Sequence, residues 1–579
     1  MNFDRQRPTP ARLSAEATVA VPRVALLALL AAFALPGVFG RDLWPEDAGA
    51  FGHMWTMAHG TAADWLLPNV GKLATPQDGP FPFWLGAVAI RALGPWLGDV
   101  AASRVSALAW FALATLALWA ATRRLAAGEA AQPITPAFGR EPETSDYARL
   151  LADIAALLFA GTLGILVTLH VTSGDTVSMA IVATALYALS IAPPRRIAAA
   201  ALAGACAGAL ALSRGPVLAI GLLAGCDAGL WLCAADRRGL RLAPVVVCTG
   251  CALAVAAAWP LAAWWVAPGS ADQFASAWLE TFVSAHGLLT RGDGIWLLRN
   301  ASWYVWPLWP LAAWALYAWR HRLRAPHIAL AVAVLAGLLL ALAWSSPLDE
   351  SKFVPTIPPL VVLAAFAFPT LRRPLAQWFE WFAMAVCTLF LAFVWAYFLA
   401  WISGTPHAMA ASVLRLVVGF KPPGSTLPLV LGLLITGLWV GLIVWRVRRH
   451  PPMLWQGALL WTAGIVSLWL TTVALFLPAT DYNRSYRHLA AQIGRRVPAG
   501  ECVIASGVSP SLRAVLAFYG NVHFAADAEG ACSMALQPQF RRTEAAPLPP
   551  EADDSWELVW EGHRRVRPDE TWRLWRRRA

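Results

Sequence analysis

A chain of 579 residues that is 58% hydrophobic and 14% charged, with 32 Trp and a mean hydropathy of +0.55, is too apolar to be a water-soluble globule of ordinary make-up. Its formal net charge of +11 does not point to nucleic acid, because Lys and Arg fall in short clusters between apolar runs, the placement of a membrane protein that keeps its positive loops inside. Composition therefore predicts an all-α polytopic membrane protein.

In chain order, the basic segment 1–23 (Arg5, Arg7, Arg12, Arg23) precedes an apolar run, Val24 to Gly40, that lacks a small-residue cleavage site of the A-x-A type. It reads as a retained first helix crossing outward, with the N-terminus cytoplasmic. The loop that follows, 41–99, opens with RDLWPEDAGAFGHMWTMAHG and carries Glu46, Asp47 and Asp78 at an apolar boundary, where carboxylates need a reason to be. Within it, Ala48 to His59 has helical spacing and predicts a short helix on the membrane surface. Phe81 to Leu93 is too short to span and predicts a second interfacial or half-buried helix.

Apolar runs then alternate with arginine clusters. They begin at Val100 to Ala121, Leu150 to Val171, Thr176 to Ala192, Ala198 to Leu212 and Val217 to Ala235. They continue through Val245 to Ala267, Trp303 to Trp319, Ile328 to Trp344 and Val354 to Phe368, and close with Trp378 to Trp401, Leu427 to Trp445 and Leu454 to Leu477. This predicts about 13 spans over 24–478, an odd number that puts the C-terminus on the opposite side from the N-terminus. The arginine clusters fall on one face and the isolated acidic turns on the other. From 479 to 579 hydrophobicity drops, and the pattern predicts a small soluble α/β domain: helix Tyr486 to Val497, strand Glu501 to Ser506, helix Ser511 to Tyr519 and strand Val522 to Ala525. The segments Trp556 to Trp560 and Thr571 to Trp575 read as two further strands. Six of the eight cysteines sit in apolar runs as small core residues, while Cys502 and Cys532 lie outside them, where an oxidising compartment permits a bridge.

The run RDLWPEDAGAFGHMWTMA resembles the first external loop of multi-span GT-C glycosyltransferases that use polyprenyl-phosphate sugars, the group of the lipid A aminoarabinose transferase and the protein O-mannosyltransferases. Three later stretches carry the same resemblance in order: HVTSGDTVSMAIVATALYAL, GALALSRGPVLA and SSPLDESKFVPTIPPL. Together they cover roughly Arg41 to Leu360. The resemblance implies a GT-C-like fold in a bacterial inner membrane, a periplasmic active face and C-terminal domain, a polyprenyl-phosphate sugar donor, and a lipid, glycan or protein acceptor. The departures are specific: Glu46-Asp47 stands where the group has Asp-Glu, a lysine is missing beside Asp78-Gly79-Pro80-Phe81, and Arg214 replaces a Lys, which keeps the charge but changes the fork geometry.

Breaking a sugar–phosphate bond needs positive charge where the leaving phosphate develops its own, and a carboxylate to take the acceptor's proton when the acceptor is a hydroxyl. Arg214, Lys352 and Arg291 are the candidates for the phosphate. Glu46, Asp47 and Asp175 are the catalytic candidates, as base or as holders of a divalent metal ion, and either Glu46 or Asp47 fits the leading acidic place. Asp78 and His286, with His53, are the further metal candidates, and Trp44 and Trp84 could stack on a sugar ring. Each has a plain alternative: the acids at positions 46, 47 and 175 as helix caps, Arg214 and Lys352 as residues snorkelling to headgroups, Asp78 as a turn residue. Two other classes share the architecture, a transporter or flippase of lipid-linked sugars and a non-catalytic envelope assembly factor. The first calls for mid-membrane ionisable residues and inverted repeats, which the chain does not clearly show.

Overall fold

The computed structural model describes residues 9–578 apart from 77–78, 136–139, 193–194, 233–238, 285–286, 345–347, 422–423, 450–452, 506, 526–531, 541–554 and 565. Asp78 and His286 lie outside the described residues.

Each of the thirteen apolar runs carries helix among the described residues, from Arg23–Ala34 to Gln456–Arg484. Among the described residues eight helical segments are long and apolar enough to cross a membrane by length and composition, and five apolar helices are shorter. Together with the C-terminal sheet this is the predicted all-α membrane bundle with an α/β appendage. The helix Leu427–Arg449 leaves Leu433, Leu434 and Leu438 exposed, as a lipid-facing flank does in a bundle whose solvent is hydrocarbon. The predicted arginine-rich face is coherent: Arg124 lies over the ring of Tyr187, and Arg322 donates to the Ala130 carbonyl, so turns far apart in sequence gather at one end.

Val24 to Gly40 is helical only over Arg23–Ala34, and Trp303 to Trp319 only over Leu308–Ala318 beyond a break at Val305; one expected span departs further. The run Leu150 to Val171 forms a helix that starts earlier, Thr144–Ala160, and stops at Gly161. Its remainder folds into a turn with a single helical piece, Ile165–Thr168. Backbone N–H groups of Leu163 and Gly164 donate to the carbonyls of Trp306 and Tyr304, and the Trp461 indole caps the Gly161 carbonyl at 2.6 Å. Tertiary partners thus satisfy the backbone that leaves the helix, as an apolar setting requires.

The helix expected over Ala48 to His59, called the surface helix below for its expected place, is present as Pro45–His59, with proline at its first position and both acids in its first turn, where the N-terminal dipole favours them. A two-residue hairpin follows, β1 (Asn69–Val70) against β2 (Leu73–Ala74), and then the helix Phe81–Leu97. The C-terminal unit has five strands: β3 (Cys502–Ala505), β4 (His523–Ala525), β5 (Met534–Phe540), β6 (Trp556–Arg564) and β7 (Arg567–Arg577), in the order β4-β3-β5-β7-β6. The first three are parallel and β6-β7 is an antiparallel hairpin. Strand β5 was not foreseen; its proline, Pro538, lies beyond the last residue that β3 pairs, so its missing N–H breaks no bond on that side. Cys502 and Cys532 are disulfide-bonded with Cα atoms 5.1 Å apart.

This unit shares a core with the surface helix. Phe51, Met54 and Met57 pack with Leu512, Val515 and Leu516 of the helix Pro510–Gly520, and the rings of Phe51 and Phe518 meet edge to face at 5.0 Å.

Candidate active site

The two acids of the surface helix have opposite surroundings. Asp47 is buried: Arg41 pairs with its Oδ2, Arg104 Nη2 donates to the same oxygen at 3.1 Å, and the backbone N–H of Thr172 donates to Oδ1 at 2.9 Å. Arg41 is fully engaged, its Nε donating to the Gly37 carbonyl and its Nη2 to that of His170; Arg104 also donates to the carbonyls of Arg41 and Asp42. A buried ion group of this kind stands only while every member is paired, and removing one leaves an uncompensated charge. Asp47 therefore locks the loop from position 41, the helix Asp99–Ala127 and the turn at 170–172 together. Glu46, one residue earlier, is 44% exposed and pairs with Arg484, itself 42% exposed.

Trp44 lies between two arginines, 4.1 Å from the Arg41 guanidinium carbon and 5.3 Å from that of Arg484, and its indole N–H donates to Asp481 at 2.7 Å. The face expected to meet a sugar is thus held by cations. Trp84 donates its N–H to the Trp65 carbonyl and packs edge-on against Phe81. His53 is buried 4.4 Å from the Phe83 ring, in the core between the surface helix and the helix Phe81–Leu97.

The second cluster forms where three turns meet. Asp175 sits in the first turn of the helix Gly174–Ser190, with Ser173 capping its N–H, and pairs with Arg214, the last residue of Arg196–Arg214. Gly215 follows at φ +87°, a left-handed conformation that lets the chain turn sharply from that arginine into Pro216. Lys352, half-buried in the 3-10 turn Glu350–Thr356, feels the charges of Asp349 and Arg214. Tyr304 completes the group: its phenol meets the Thr168 hydroxyl at 3.2 Å and feels Glu350, Asp349 and Arg214. Burial pushes the Tyr304 hydroxyl up to about 12, so it stays protonated and able to donate.

The sequence-derived candidates thus divide. Asp175, Arg214 and Lys352 come together, and Asp47 reaches them through Thr172, three residues before Asp175. Arg291 is exposed at the start of the helix Arg291–Tyr304, about 20 Å along its axis from Tyr304. Among the described residues no three His, Cys, Asp or Glu side chains gather as a metal set. Arg41, Arg104 and Tyr304 were not singled out from the sequence. Arg104 had a signal, a lone cation near the N-terminal end of an apolar helix; Tyr304, one of many aromatics in its stretch, had none.

The chain superposes on the crystal structure of ArnT from Cupriavidus metallidurans bound to undecaprenyl phosphate, with a TM-score of 0.63, 16% identity, and coverage of 95% of this chain and 97% of that one. The chain has the ArnT fold. The apo structure of the same protein gives a TM-score of 0.62 at the same identity and coverage. No family model and no curated protein matches the chain by sequence. The resemblance to the GT-C group, carried by four short stretches, thus extends as ArnT-like architecture over nearly the whole chain, including the 479–579 region that those stretches did not reach.

Proposed function

We propose that this chain is an integral-membrane glycosyltransferase that moves a sugar from a polyprenyl-phosphate donor to a lipid, glycan or protein acceptor, on the periplasmic face of a bacterial inner membrane. The observation that carries the reading is the convergence of Arg214 and Lys352 beside Asp175, within an ArnT-like fold one of whose solved examples holds undecaprenyl phosphate.

In this reading the donor phosphate lies against Arg214 and Lys352. As the bond from the anomeric carbon to the phosphate oxygen breaks, its electron pair stays on that oxygen, and both cations stabilise the charge. Asp175 holds the Arg214 fork in position, and the Tyr304 hydroxyl supplies a neutral donor at the rim. The acceptor oxygen attacks the anomeric carbon and its proton passes to Glu46, the carboxylate that is partly exposed while Asp47 is locked in its buried ion group. An acceptor that is itself a phosphate would arrive deprotonated, and Glu46 would then orient rather than accept a proton. Glu46, Asp47 and Asp175 each face an arginine, and the steps above are written for these side chains.

The test is mass spectrometry of envelope glycolipids and glycans from cells with the protein, without it, and with Asp175→Asn. One sugar-sized mass present in the first and missing from the other two is expected. An unchanged profile with the wild-type protein demonstrably in the membrane would remove the transferase reading.

A further inference from the structure

Described residues border a groove of about 960 Å³ that the steps above do not use, except that Glu46 stands at its edge. Its walls come from the membrane-crossing helices Arg373–Ser403 and Gln456–Arg484, through Phe393 and Phe476, and from the short helix His407–Leu416, through Val413. Next to it Leu414, Leu416 and Val418 are exposed, which suits hydrocarbon and not water. Its rim comes from the end of β6, the start of β7 and the end of the last span, through Arg564, Arg567, Asp569 and Arg484.

That rim is polar and balanced in charge. Arg484 is paired with Glu46, and Arg564 with Glu570. Arg567 and Asp569 remain, both exposed, two residues apart on β7 and so on one face of the strand, with no ion-pair partner among the described residues. A wall of apolar helices at bilayer depth beneath one open cation and one open anion complements an amphiphile whose headgroup carries both charges.

We propose that this groove is a binding site for a zwitterionic bilayer phospholipid, its acyl chains against Phe393, Val413 and Phe476, its phosphate at Arg567 and its ammonium at Asp569. A purely anionic lipid would set a negative headgroup against Asp569, and a polyprenyl phosphate would leave Asp569 unmatched. The site stands whether or not the chain transfers sugar.

The experiment uses the full chain in phosphatidylcholine-free nanodiscs doped with a phosphatidylethanolamine carrying a photoreactive acyl chain, with labelled peptides mapped by mass spectrometry. Labelling is expected to concentrate on the segments holding Val413 and Phe476, above the level on the lipid-facing helix Leu427–Arg449. Unlabelled phosphatidylethanolamine should compete better than phosphatidylglycerol by about three- to five-fold, the size of one partly exposed ion contact. Asp569→Lys should reverse that preference, and Arg567→Glu should weaken both lipids; both positions are exposed, so folding is not at stake. As a second check, Thr472→Trp, which fills the groove from its wall, should cut groove labelling while leaving Leu427–Arg449 unchanged. Labelling no stronger than on that outer helix, displacement by undecaprenyl phosphate, or a lipid preference indifferent to Asp569→Lys would each overturn the proposal.

Discussion

The Asp47 carboxylate accepts the backbone N–H of Thr172, 125 residues further along, at 2.9 Å. Through that bond the loop that presents Glu46 and the turn that presents Asp175 are one mechanical unit, and the adjacent acids carry different burdens. Asp47→Asn should therefore act on stability. Loss of one partner from a buried ion group costs about 3–5 kcal/mol, so thermal unfolding in detergent should move down by several degrees and expression should fall.

Glu46→Gln should do the reverse. The side chain is partly exposed and its ion pair with Arg484 contributes little, so the melting temperature should hold. Initial rates with a hydroxyl acceptor should drop by about 10²–10⁴-fold, the usual worth of a general base. An unchanged rate would assign Glu46 to the surface.

Arg214→Lys and Asp175→Asn should each slow transfer, and their effects should not add. If Asp175 serves only by holding the Arg214 fork, the double variant should be no slower than Arg214→Lys alone to within roughly 0.5 kcal/mol of activation energy. Single-turnover rates of the four proteins complete the cycle. Full additivity would separate the two residues.

Tyr304→Phe isolates one hydroxyl. Because burial raises the folded-state value to about 12, the phenol is protonated throughout the neutral range, and the rate profile of the native protein should show no limb from this group below about pH 10. The variant should lower the rate by a constant factor across that range. A factor that changes with pH would mean that the group titrates during turnover.

Reduction or Cys502→Ser should loosen the C-terminal sheet. For a sequence separation of 30 residues the chain-entropy estimate is about 3–4 kcal/mol, read as a lower melting temperature together with a reductant-dependent gel shift of the native protein.

What the sequence could show was whatever repeats or is local. Apolar runs between arginine clusters located the helices, and the proline and acids at 45–47 announced a helix start. The helix, strand and turn rhythm of the tail gave four elements near their observed bounds, and the pair Cys502 and Cys532 was a legible possibility. The misses share a different cause. The run after Leu150 is apolar enough for a span, yet its backbone leaves the helix at Gly161 because Trp461 and the carbonyls of Tyr304 and Trp306 wait to receive it, partners 140 to 300 positions away. Strand β5, MALQPQF, has neither alternation nor β-branched residues and exists because β3 and β7 flank it. Asp47 and Glu46 look equivalent side by side; only the fold, by bringing buried Arg41 and Arg104 to one and the half-exposed Arg484 to the other, tells them apart.

The core shared by the surface helix Pro45–His59 and the helix Pro510–Gly520 bears on synthesis. Membrane insertion delivers residue 47 long before residue 512, so Phe51, Met54 and Met57, which Phe83, Ala87 and Ile90 cover from one side, keep a second side bare until the helix Pro510–Gly520 arrives. A product truncated before that point would hold its spans and still lack the floor under its acidic loop, so that quality control could recognise it by exposed methionine and phenylalanine at the membrane surface.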